Sequence, residues 1–135
     1  LLARLEGVEI KHDATHTSVG DLRRGFEEIS DPRVIPGAAH PPIRKHGETG
    51  RNCLYLGRRD HAYVLDHSME ESEQLLDEAW QYAALPEACY THVWSLGDVV
   101  IWDNRAVLHR RDGFDESARR MMRRCQVLER DTEAA

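Results

Sequence analysis

The chain is short of cysteine, of long apolar runs and of positive charge, and each shortage removes a class of function. Only three cysteines occur in 135 residues, Cys53, Cys89 and Cys125, widely spaced and without a C-x-x-C pair. A disulfide framework and a cysteine zinc site are therefore not expected, and reduced thiols make the cytoplasm the default compartment. No apolar run reaches the roughly 18–20 residues of a membrane-spanning helix, so no membrane partner is expected. The formal charge is −6, opposite in sign to the basic footprint of a general nucleic-acid binder. Arginines do gather between Arg105 and Arg124, but Asp112, Asp115 and Glu116 interrupt them. Aromatic residues to stack on bases are scarce there, which argues against a single-strand platform. Small molecules are the expected partners, and a homo-oligomer is left open.

What is present is a series of short strand signals around one strong helix. Leu1 to Gly7 reads as the end of a helix closed by glycine, and the expectation is a C-terminal portion of a larger protein. Lys11 to Ala39 is polar and punctuated by Gly20, Pro32, Pro36 and Gly37. It reads as a mobile connection, with a short helix expected over Asp21 to Ile29 because Leu22, Phe26 and Ile29 fall at helical spacing. Residues 1–39 are thus assigned as helix end plus connecting or lid segment, and 40–135 as the main domain. Cys53 to Leu56 and Ala62 to Leu65 are strand candidates. Ser68-Met69-Glu70-Glu71 is a capping box, followed by Leu75, Leu76, Ala79, Trp80 and Ala83 on one stripe and closed by Pro86. Tyr90 to Trp94 is a further strand candidate.

The C-terminal third carries the most specific pattern. Gly97-Asp98 opens a β-branched run, Asp103-Asn104-Arg105 breaks it, and a second apolar run ends at His109. After a polar connection, Arg119 to Leu128 reads as a strand, on which Arg120 and Arg124 share one face while Arg119 and Arg123 share the other. Periodicity alone leaves open which face points inwards. Guanidinium groups suit the bidentate grip of a carboxylate.

Trp102-Asp103-Asn104-Arg105 with a histidine four residues later, then Arg119-Arg120-Met121-Met122-Arg123-Arg124, resembles the C-terminal signature of the taurine and 2,4-dichlorophenoxyacetate dioxygenase family (TauD/TfdA). His40-Pro41-Pro42-Ile43-Arg44 and His46-Gly47-Glu48-Thr49-Gly50-Arg51-Asn52-Cys53-Leu54-Tyr55 are similar to an upstream segment of the same family. The resemblance implies a mainly β fold, the double-stranded β-helix or jelly roll with flanking helices, here as an incomplete C-terminal portion. It also implies an iron(II)- and 2-oxoglutarate-dependent dioxygenase that uses oxygen to hydroxylate a small, anionic organic substrate. Carried over by position, His109 is the implied iron ligand, Arg120 the 2-oxoglutarate partner and Arg124 the substrate arginine, with Trp102 a core or cavity wall.

The sequence departs from the family at the other half of the metal site. Iron of this kind needs two histidines and a carboxylate, and the family's H-x-D/E motif has no clear counterpart. His12-Asp13 lacks the intervening residue, Asp13-Ala14-Thr15-His16 has the wrong order, and His46-Gly47-Glu48 reads as a turn before a strand. His12, His16, His40, His61 and His67 lack ligand spacing, and Asp103 and Asn104 read as turn formers. Two alternatives to the enzyme stay open: a non-catalytic, degenerate jelly-roll protein, or a partner subunit lacking the H-x-D/E half.

Overall fold

A computed structural model describes residues 1–17, 20–115 and 117–127. Helix α1 (Leu2–Leu5) is followed by Gly7 at φ 77°, the left-handed turn that the opening residues predict. The chain then enters β1 (Ile10–Asp13), the centre of a three-stranded antiparallel sheet ordered β2-β1-β5, with β2 at Gly37–His40 and β5 at Tyr63–Val64. Ile10 stands opposite both His40 and Val64. At the far end Asp13 faces Gly37, where a Cβ atom would lie 1.8 Å from the His12 carbonyl oxygen. Only glycine permits that approach.

A second hairpin pairs β3 (Ile43–Lys45) with β4 (Asn52–Leu54), and its turn closes with Gly50 at φ 68°. Helix α2 (Met69–Ala83) begins at the anticipated box: Ser68 Oγ accepts the Glu71 N–H, and the Glu71 carboxylate accepts the Ser68 N–H. Its apolar stripe, with Leu75, Leu76 and Ala79 fully buried, packs on Leu5, Ile10, Leu56, Ala62 and Val64 to form the core. Ser72, also buried, lies on the same helix, and its hydroxyl accepts the Val64 N–H at 3.0 Å. Among the described residues no helix is long and apolar enough to cross a membrane.

Two expectations about local structure are corrected. Asp21 to Ile29 forms no helix; Gly25 stands at φ 94° in its middle, and Leu22 instead makes an isolated bridge to His16. The strands expected over Tyr90 to Trp94, along the two apolar runs of Gly97 to His109, and over Arg119 to Val127 are also absent, while Leu128 lies outside the described residues. A strand persists only if neighbouring backbone takes up its N–H and C=O groups, and none of the described strands pairs with this segment. Its apolar side chains stand in solvent accordingly, with Tyr90 83%, Ile101 91% and Val127 97% exposed.

Candidate functional site

The two sequence segments that carry the resemblance meet at the turn of the β3–β4 hairpin. His46 is buried there, and Thr49 N–H donates to its Nδ1 at 3.3 Å, so the ring proton sits on Nε2 and is donated to Asp103 Oδ2 at 2.9 Å. Asp103 also receives the Arg105 backbone N–H at 2.9 Å and its guanidinium at 3.0 and 2.7 Å. Arg105 first, then His46, hold the Asp103 carboxyl well below the usual carboxylate range. Arg105 reaches back to Glu48 Oε1 at 3.3 Å, closing the circuit across 57 residues. Both His46 nitrogens and the Glu48 carboxylate are engaged in this clamp, which is a physical reason why His46-Gly47-Glu48 does not read as a metal motif. Arg44, Lys45, His46, Gly47 and Arg105 line a shallow depression of about 210 Å³ beside it.

The residue after Trp102 is thus anchored, and Trp102 itself reaches His109, the ring centroids lying 5.1 Å apart at 48°. His109 is exposed. Arg120 lies over the Phe114 ring at 5.3 Å, beside Arg111 at 4.9 Å, and Arg124 is exposed. Trp102 and His109 are therefore brought together, whereas Arg120 is engaged elsewhere. Arg119 is exposed too, its guanidinium against the Met121 sulfur, so no inward face separates the arginines.

Two histidine groups lie on the sheet side. His12 stacks on Tyr55 at 5.0 Å and meets His40 edge-on at 5.0 Å, while the Arg44 guanidinium caps Tyr55 at 4.7 Å. Burial first, then His40 and Arg44, push the His12 pKa down to about 4, and its Nε2 is buried without a protein partner. The other group was not legible from spacing. Asp13, His16 and His61 offer ligand atoms all within 4.8 Å of one another. Residues 16 and 61 are 45 positions apart in sequence, and no spacing rule joins them. The local Asp-x-x-His turn was the one signal available.

Iron at His109 fails a test of fit within this chain. Asp13, His16 and His61 are the described residues whose ligand atoms converge, and His109 is not among them. His109 can supply one imidazole; the remaining donors of an iron site at that position are not assembled by the described residues.

The described residues form a small antiparallel β framework backed by one capped helix, followed by the segment that carries His109 and the arginines. The chain belongs to the Taurine catabolism dioxygenase TauD, TfdA family, which it matches over residues 1–126. It is 37% identical over 128 residues to an alpha-ketoglutarate-dependent 2,4-dichlorophenoxyacetate dioxygenase of Burkholderia sp. (strain RASC), covering 93% of this chain and 42% of that protein. It is 39% identical over 127 residues to an (S)-phenoxypropionate/alpha-ketoglutarate-dioxygenase of Sphingobium herbicidovorans, covering 90% of this chain and 44% of the relative. A crystal structure of the alpha-ketoglutarate dependent 2,4-D dioxygenase type from Burkholderia xenovorans superposes with a TM-score of 0.59 at 32% identity, over 78% of this chain and 40% of that one. The fold match bears out the jelly-roll expectation, and the chain spans less than half the length of the curated relatives it matches.

Proposed function

We propose that this chain is part of an iron(II)- and 2-oxoglutarate-dependent dioxygenase that hydroxylates a small organic carboxylate in the cytoplasm. The observation that carries the reading is the family match over residues 1–126, with relatives named for 2,4-dichlorophenoxyacetate and (S)-phenoxypropionate. In this reading His109 contributes one imidazole to the metal, Arg120 grips 2-oxoglutarate, Arg124 meets the substrate carboxylate, and Trp102 walls the cavity against His109. Iron and 2-oxoglutarate, when bound, supply the oxidising power; the chain binds, orients and excludes water.

The test is substitution in the full-length protein. His109→Ala is expected to abolish 2-oxoglutarate turnover and to lower bound iron, with far-UV circular dichroism unchanged. Near-normal turnover at unchanged iron content would remove His109 from the metal.

A further inference from the structure

We propose that His16, Glu28 and His61 form a binding site for a divalent transition-metal ion of the zinc type, with Asp13 as the residue that positions His16, distinct from any metal held through His109. Asp13 and His16 lie at the end of β1, their side chains 1% and 3% exposed. An ionised carboxylate only accepts hydrogen bonds, so the 2.9 Å contact from His16 Nδ1 to Asp13 Oδ2 places the ring proton on Nδ1. The lone pair of Nε2 is thereby turned outwards. A carboxylate that fixes one ring nitrogen and frees the other is the arrangement that orients metal-binding histidines.

What the lone pair faces is a second carboxylate. Glu28 Oε1 lies 3.7 Å from His16 Nε2, beyond a hydrogen bond. Two ligand atoms that each sit about 2 Å from a common metal are separated by roughly 3–4 Å, so the gap has the width of a shared cation. Glu28 is exposed and His16 is not, which leaves the position open to entry from solvent. The His61 ring lies flat against that of His16, 3.9 Å away with 1° between the planes. A ring nitrogen of this half-buried side chain lies within 4.8 Å of one of His16, and with Glu28 the two imidazoles make a donor set that zinc takes as readily as iron(II) does.

The surroundings hold this geometry in advance. Asp13 accepts the Thr15 N–H and hydroxyl at 2.6 Å each and the His16 N–H at 3.1 Å. These bonds fix the orientation of the Asp13 carboxylate towards His16. Arg23 Nε and Arg58 Nη1 both donate to the His16 carbonyl, at 2.9 and 2.8 Å, and fix the backbone of the loop.

Titration of the full chain with Zn²⁺ alone, followed by calorimetry and by the imidazole resonances in NMR, tests the site. One equivalent is expected to bind and to shift the His16 and His61 ring signals, and His16→Ala is expected to abolish both effects. Asp13→Asn should weaken affinity about 10–100-fold, as loss of an orienting partner does elsewhere, and Glu28→Gln should weaken it at least as much. Glu28 is exposed, so that variant keeps the test readable if His16→Ala unfolds the loop. His109→Ala should leave the zinc affinity unchanged. The proposal is overturned by no binding, by binding indifferent to Glu28→Gln, or by binding lost with His109→Ala.

Discussion

His46 Nε2 donates to Asp103 Oδ2 across 2.9 Å, joining two residues 57 positions apart. The contact ties the β3–β4 hairpin to the turn that leads to His109, and it is shorter than the parallel contact from Arg105 to Glu48 at 3.3 Å. Asp103 sits one residue from Trp102, whose ring meets His109, so the clamp restrains the approach to the candidate metal ligand.

Removing the buried partner is expected to destabilise the chain. His46→Ala should lower the free energy of unfolding in urea by about 1–3 kcal/mol, the cost of deleting one side of a buried polar pair. Asp103→Ala should be less than additive with it in a double-mutant cycle. Full additivity would show that the two side chains are not coupled.

His12 should produce a pH dependence of its own. Its folded pKa of about 4 lies below the ordinary histidine value of 6.5, so the unfolded chain takes up the proton first. The stability this group contributes is complete above pH 6.5 and is lost as the pH falls from there towards 4, up to about 3 kcal/mol by linkage. His12→Gln is expected to flatten the unfolding free energy over that window, measured by denaturant titration at half-unit pH intervals. An unchanged slope would place the proton uptake elsewhere.

The fold was legible where it is local. Ser68 and Glu71 announce α2 within four residues, and Leu75, Leu76 and Ala79 mark its buried face without reference to any other segment. Gly7 closes α1 by the same logic. Asp21 to Ile29 misled because Gly25 adopts a positive φ that ends a helix before its apolar spacing can count. The strands from Tyr90 onward were legible only as alternation, and alternation becomes a ladder only beside a partner. The clamp residues were visible as motifs but their meeting was not, since neither His46 nor Asp103 carries a sign of the other. His16 and His61 come together for the same nonlocal reason.

The proposed reaction assigns its two anions to different arginines. In the full-length enzyme Arg120→Ala is expected to raise the apparent KM for 2-oxoglutarate by about 30-fold or more, on the scale of ~2–5 kcal/mol for a lost charge-assisted contact in a dry site. Arg124→Ala should mainly weaken use of the primary substrate. Steady-state kinetics with each substrate varied in turn decide the matter, and the same effects from Arg119→Ala and Arg123→Ala instead would move the two roles to those arginines.

Gly37 should prove irreplaceable on steric grounds. Gly37→Ala would drive a methyl group into the His12 carbonyl, and is expected to cost at least about 1–3 kcal/mol as an overpacking change. Loss of amide-exchange protection at β1 and β2, with α2 retained, is the local signature to look for; uniform protection would mean that the strands part without penalty.

The Ser72 hydroxyl does for β5 what a neighbouring strand would do. By accepting the Val64 N–H from the helix side, it occupies a backbone donor that would otherwise sit bare along the sheet's margin. At that point the margin is sealed by a side chain and offers no template to another polypeptide.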